Sequence, residues 1–177
     1  MNVSKDQSPI YLKKSIPFKN IVMSIIKIFT DGSCHTQLKT GAWVALIFVE
    51  DKKIVLQNVV ENTTHNRMEL SAVIAAIHYV TENNFVYSGI EIYSDSQYVV
   101  DLVDRKERLK NNLFITKKGT PVQNADLVQN LITLMEEFPL IFIKVKAHQR
   151  STSEINYNRE ADILVRSLVR SAVGRES

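Results

Sequence analysis

Apolar residues recur along this chain in two rhythms, and each change of rhythm marks a new element. Ile25-Ile26-Lys27-Ile28-Phe29-Thr30 is a β-branched and aromatic run of the kind that forms a buried strand, closed by Asp31 and Gly32. Gly41 to Glu50 carries the nearly unbroken run Ala42-Trp43-Val44-Ala45-Leu46-Ile47-Phe48-Val49, and a strand from Ile54 to Glu61 follows a short polar turn. Connections this short predict an antiparallel meander of three strands. From about Arg67 to Glu82 the rhythm becomes helical, with Leu70, Val73, Ile74, Ile77 and Val80 on one stripe and Glu69 flanking it. Ile90 to Ser94 is a fourth strand, preceded by a loop over 85–89. It is reached through a helical crossover, hence parallel to a neighbour. Asp95-Ser96 suits the N-cap of a helix through Val103, whose pattern continues to Asn111. A loop over 114–121, a helix from Ala125 to Phe138, a fifth strand from Leu140 to Val145, a loop over 146–156 and a helix from about Asn158 to Val173 complete the order. The fold class is α/β: a five-stranded mixed sheet, three antiparallel strands and then two parallel ones, flanked by helices.

Acidic residues interrupt this pattern where apolar ones would be cheaper. Asp31 closes the first strand, and Asp95 closes the fourth. Glu69 lies beside the apolar stripe of the first helix, and Asp162 falls within the first turns of the last. A lone Asp-Gly ordinarily caps a turn. Four carboxylates at strand ends or on apolar faces are costly to gather unless a cation compensates them. Carboxylate oxygens without His or Cys partners select hard cations, so Mg²⁺ is expected, with Mn²⁺ the alternative. Two such ions held by four carboxylates suit in-line hydrolysis of a phosphodiester.

Charge and composition narrow the partner. The net charge of +3 is a weak pointer to nucleic acid, but its distribution is uneven. Between Asp104 and Lys118 stand six basic residues (Arg105, Lys106, Arg108, Lys110, Lys117, Lys118) and two acidic ones. Such a segment reads alone as a solvated face, and beside an acidic metal site it suits a polyanion. A single cysteine, Cys34, excludes an internal disulfide framework and a Cys-based zinc site, and fits a reducing compartment. No apolar run nears the roughly 18 residues of a membrane span. We therefore expect a soluble, cytoplasmic monomer with no membrane partner. Residues 1–22 are polar, broken by Pro9 and Pro17, and expected to be a dispensable, flexible extension of one domain over 23–174.

Taken together, Thr30-Asp31-Gly32-Ser33, Thr64-His65-Asn66-Arg67-Met68-Glu69-Leu70, Asp95-Ser96-Gln97-Tyr98-Val99 and Asn158-Arg159-Glu160-Ala161-Asp162 resemble type 1 ribonuclease H in order and spacing. Val145-Lys146-Ala147-His148 is similar to the histidine loop of that family. The resemblance runs from about Ile25 to Arg170. It implies the RNase H-like fold and an endonuclease that cuts the RNA strand of RNA–DNA hybrids, leaving 5′-phosphate and 3′-hydroxyl ends. It also implies that Asp31, Glu69, Asp95 and Asp162 bind two metal ions with substrate, and that His148 assists proton transfer or product release. Thr64 would then help hold a DNA-strand phosphate, and Asn66 and Gln97 would contact the hybrid. Lys106 and Lys110 would belong to a basic gripping segment.

Four features depart from that pattern. His65 stands where the family usually has an asparagine that contacts the hybrid. The loop from Cys34 to Thr40 lacks the family's glycine- and proline-rich turn, the basic segment lacks tryptophan, and the histidine loop over 149–157 is long. These departures bear on affinity more than on chemistry. Two rivals stand beside the resemblance: an integrase-, resolvase- or exonuclease-like nuclease on a similar acidic cluster, and a non-catalytic hybrid-binding module. Trp43 reads as core, His78 as a packed or half-exposed helix residue, and Cys34 as a small loop residue rather than a nucleophile.

Overall fold

The structure is a computed structural model that describes residues 24–146 and 156–174. Strands β1 (Ser24–His35), β2 (Thr40–Val49), β3 (Lys52–Val60), β4 (Tyr87–Ser94) and β5 (Leu140–Lys144) form one sheet in the order β3-β2-β1-β4-β5. β1 is antiparallel to β2, and β2 to β3, while β4 and β5 run parallel to β1. The helices are α1 (His65–Glu82), α2 (Gln97–Val100), α3 (Leu102–Asn111), α4 (Ala125–Glu137) and α5 (Tyr157–Val173). The mixed sheet flanked by helices is the architecture that the hydrophobic pattern predicts.

Strand pleat sorts the core into two layers. Ile26 and Ile28 of β1, Ala45 and Ile47 of β2, and Ile90 and Ile92 of β4 are fully buried together with α1, α4 and the α2–α3 segment. Ala42, Val44 and Leu46, of opposite parity on β2, meet Ala161, Val165 and Val169 of α5 on the other face. An aromatic cluster fixes the start of α5. Phe29 stacks on Tyr93 with ring centroids 4.5 Å apart, and Tyr157 lies 4.2 Å from Phe48. Lys53 on β3 pairs with Glu160 and stands over the Tyr157 ring. On the first face, Arg67 of α1 forks onto Asp126 of α4 through two bonds of 2.9 and 2.7 Å.

Four local expectations are corrected. Asp31-Gly32 is not a strand end: β1 continues through Gly32, Ser33, Cys34 and His35, because each pairs with β2 as far as His35 with Thr40. The turn is confined to 36–39. β4 likewise begins at Tyr87 inside the expected loop, since pairing of Tyr87 with Ser24 and of Gly89 with Ile25 overrides the turn-like Tyr-Ser-Gly sequence. The helix after Ser96 is two helices. Ser96 does cap it, but the N–H of Asp101 is shared between the carbonyls of Gln97 and Val99, tightening the turn before α3 begins. Trp43, read as core, is half-buried, and His78 is the half-exposed helix residue expected.

Gly32 explains how helix and strand come so close. A Cβ built on it would lie 2.4 Å from the backbone nitrogen of Glu69 and 2.6 Å from the carbonyl carbon of Met68. Gly41, on the neighbouring strand β2, serves the same end, its absent Cβ leaving room for Thr63 and Met68. Backbone cannot yield as a flexible side-chain tip can. Gly32→Ala should therefore cost about 1–3 kcal/mol of stability by overpacking and displace Glu69. Urea unfolding of the two proteins checks the first effect.

Candidate active site

Parallel pairing of β1 with β4 ends at Thr30 opposite Ser94, so the next residues, Asp31 and Asp95, leave the ladder side by side. α1 then brings Glu69 in over Gly32. One carboxylate oxygen from each of Asp31, Glu69 and Asp95 lies within 4.8 Å of the other two. Asp31 is 7% exposed and Glu69 3%, while Asp95 is half-buried. Asp31 Oδ1 accepts the Gly32 N–H at 2.8 Å. Glu69 Oε1 lies 3.2 Å from His65 Nε2 as an ion pair, whereas Glu69 Oε2 is buried without a hydrogen-bond partner among the described residues.

The electrostatics follow from crowding. Burial, and then the negative charges of Glu69, Asp95 and Asp162, push the Asp31 carboxyl up from its ordinary 3.8 to about 8, against the hydrogen bond from the Gly32 N–H. Burial also raises Glu69, against the pull of His65 and Lys144. The imidazole of His65 is held above its ordinary value, chiefly by its hydrogen bond to Glu69. Lys144, from the end of β5, donates to the backbone carbonyl of Asp95 and adds a positive charge beside the cluster.

These residues fit a hard divalent cation. The three clustered residues offer only oxygens, Glu69 Oε2 is buried without a hydrogen-bond partner among the described residues, and the mutual repulsion of the acids is what a cation would relieve. The fourth acid is placed differently. Asp162, on α5 across the sheet, is near enough to raise Asp31 electrostatically but lies outside the mutually close trio. Its Oδ1 accepts from Arg166 Nε at 2.5 Å, one turn further along α5.

Of the remaining sequence-predicted residues, Thr64 and Asn66 stand at the start of α1, Gln97 at the start of α2, and Lys106 and Lys110 on α3. Thr64 is the N-cap of α1, its hydroxyl accepting from the Arg67 N–H at 3.4 Å. Asn66 is half-buried in the first turn of α1. Gln97 opens α2, exposed, with its amide bonded to Asp101. Lys110 is engaged by Glu136 of α4, while Lys106 lies half-buried on the same helix, α3. His148, its loop and residues 1–22 lie outside the described residues. Sequence reasoning missed Arg166 as the partner of Asp162, and His65 as the partner of Glu69. Four-residue spacing on a helix carries that signal in both pairs. Nothing in the sequence brings Lys144 to Asp95, since β5 is placed by the sheet alone.

With the geometry in hand, likeness to other proteins decides the lineage. The sequence model of the RNase H family matches residues 23–170. The chain belongs to the ribonuclease H family. A Ribonuclease H from Caldicellulosiruptor saccharolyticus is 31% identical over 150 residues, 84% of this chain and 98% of its own length. One from Chlorobaculum parvum is 34% identical over 148 residues, covering 82% of this chain and 95% of that one. This member is thus a ribonuclease H enzyme. The fold is also that of LC9-RNase H1, described as a type 1 RNase H with the type 2 active-site motif: TM-score 0.70 and 19% identity over 86% of this chain and 75% of that one. The prototype foamy virus protease–reverse transcriptase matches with TM-score 0.66 and 19% identity over 81% of this chain, which spans 20% of that protein. Among the described residues of this ribonuclease H, no helix is long and apolar enough to cross a membrane.

The raised Asp31 carboxyl makes a prediction about the cation-free protein. Between pH 3.8 and about 8 the folded state holds a proton on Asp31 that the unfolded chain has lost, so raising pH favours unfolding across that window. Asp31→Asn removes the effect. In chelator at pH 7.5 the variant should melt roughly 3–8 °C above the unsubstituted protein, as about 1–2 kcal/mol would give, with near-equal melting at pH 4. Saturating Mg²⁺ should then raise the melting temperature of the unsubstituted protein and not that of the variant, read by circular dichroism.

Proposed function

We propose that this chain is an endonuclease that hydrolyses the RNA strand of RNA–DNA hybrids with two divalent cations, Mg²⁺ by preference and Mn²⁺ as the alternative. The products would carry 5′-phosphate and 3′-hydroxyl ends. One observation carries the reading: three carboxylates sharing a space under 4.8 Å, two of them buried, with no cationic side chain neutralising Asp31 among the described residues. Membership of the ribonuclease H family supports the substrate class.

Asp31, Glu69 and Asp95 would hold the cations, with Asp162 joining once its carboxylate turns from Arg166. The chemistry that two bound cations supply is activation of the attacking water and neutralisation of charge on the departing 3′ oxygen. What the protein itself does is position and exclude. The buried strand pair fixes Asp31 beside Asp95, and the Gly32 contact fixes Glu69 above them. Thr64 and Asn66 at the start of α1 and Gln97 at the start of α2 would contact the backbone and minor groove of a hybrid. Specificity for RNA would rest on 2′-hydroxyl contacts and groove shape. Lys106, with the neighbouring cations of α3, offers charge to the phosphates, and Lys110 contributes less because Glu136 already engages it. His148 would move protons at the leaving group or hasten product release. The catalytic unit is taken as one domain over 23–174, acting as a monomer.

Cleavage assays on labelled RNA in a hybrid, with matched duplex DNA and duplex RNA alongside, test the reading. Metal-dependent cutting of the hybrid's RNA strand alone is expected, abolished by chelator. Asp31→Asn and Glu69→Gln should each lower the rate about 10³-fold or more, as loss of several kcal/mol of metal-borne stabilisation requires. Cutting of duplex DNA would instead favour an integrase- or exonuclease-like nuclease, and metal-independent binding without cutting a non-catalytic module. Lys106→Glu should weaken hybrid binding and reduce the slope of log affinity against log salt by about one, measured by fluorescence anisotropy across a salt series.

A further inference from the structure

Glu69 is the most enclosed acid of the site, and its two oxygens are treated unequally. Oε1 lies 3.2 Å from His65 Nε2 as an ion pair, and Oε2 is buried with no hydrogen-bond partner among the described residues. The His65 side chain is 59% exposed against 4% for that of Glu69, so the imidazole stands at the mouth of the site and reaches inward. Its place is well fixed. His65 is the first residue of α1, immediately after Thr64, whose side chain caps the helix. Yet His65 is not itself one of the mutually close ligand set, which comprises Asp31, Glu69 and Asp95.

A glutamate has three rotatable side-chain bonds, and a buried one with no fixed partner samples several orientations unless something holds it. We propose that His65 is a positioning residue for the cation site: it ties down one oxygen of Glu69 and so leaves the other committed to a bound ion. This rests on the metal-binding reading above and adds to it a residue outside the four carboxylates. Partners that hold a metal-ligating side chain commonly affect metal affinity by 10–100-fold, and the role requires a hydrogen-bond donor at this position rather than an imidazole as such. Glutamine, with an amide N–H within reach of a residue one helical turn on, supplies that donor; alanine does not.

The test is isothermal titration calorimetry of Mg²⁺ into the cation-free full-length protein, at one pH and one ionic strength. The unsubstituted chain, His65→Ala, His65→Gln and Asp31→Asn are compared. His65→Ala should weaken Mg²⁺ binding about tenfold, and His65→Gln should return it to within about threefold of the unsubstituted value. At saturating Mg²⁺, KM for the hybrid should be unmoved in both His65 variants. An unchanged or tighter Mg²⁺ Kd in His65→Ala overturns the proposal. A raised KM with an unchanged Kd also overturns it, and would make His65 a substrate contact. Poor folding of His65→Ala shows in its melting curve and leaves the Gln variant to decide: binding more than about threefold weaker there overturns the proposal as well. Failure of the underlying reading looks different, because the unsubstituted protein would then bind Mg²⁺ no better than Asp31→Asn.

Discussion

The site depends on one steric fact: the backbone of α1 lies against the backbone of β1 where Gly32 has no side chain. Moving that helix outward by the width of a methyl group would withdraw Glu69 from Asp31 and Asp95. The rest of the first core layer holds the helix down. Leu70, Val73, Ile74, Ile77 and Val80 are buried against Ile26, Ile28 and the β4 isoleucines, and Arg67 ties the start of α1 to α4 through Asp126. Close approach and apolar burial therefore act on the same element, one setting its distance and the other its hold.

Against this stands electrostatic cost. Three acids with oxygens within 4.8 Å of one another repel, and burial denies water to Asp31 and Glu69. The helix-borne acids are each held by a neighbour one turn away, Glu69 by His65 and Asp162 by Arg166, whereas the cluster's most strongly perturbed acid, Asp31, has among the described residues only the N–H of Gly32. The molecule thus contains local counter-charges for the acids that come from helices and leaves the strand-borne Asp31 for an external cation.

Much of this could be read from the chain, for physical reasons that differ by element. Periodicity located all five strands and the long helices, because burial on one or two faces imprints itself on residue order. The ends were less legible. Pairing extended β1 beyond Asp31-Gly32 and β4 back to Tyr87, since a hydrogen-bonded neighbour outweighs local turn propensity. Of the site, three of the four acids singled out in the sequence, Asp31, Glu69 and Asp95, come together, and the meeting of Asp31 and Asp95 follows from strand adjacency. The offset of Asp162 was not legible, because it depends on how α5 packs against the second face of the sheet and on the pairing of Asp162 with Arg166. Nor was Gly32's role: Asp-Gly reads as a turn, and only the packed helix shows that its value lies in missing volume rather than in unusual torsion angles.

The way Met68 is seated has a genetic consequence. This fully buried side chain is wedged between two glycines, with its Cβ at Gly32 and its Cγ at Gly41, one residue before Glu69. A random-mutagenesis screen for inactive clones would therefore recover substitutions at Gly32, Gly41 and Met68 alongside those at the acids. Clones of the first kind would fail through geometry with every carboxylate intact. Second-site suppressors should rescue them by trimming volume across that seam, whereas no change of volume can restore a missing carboxylate.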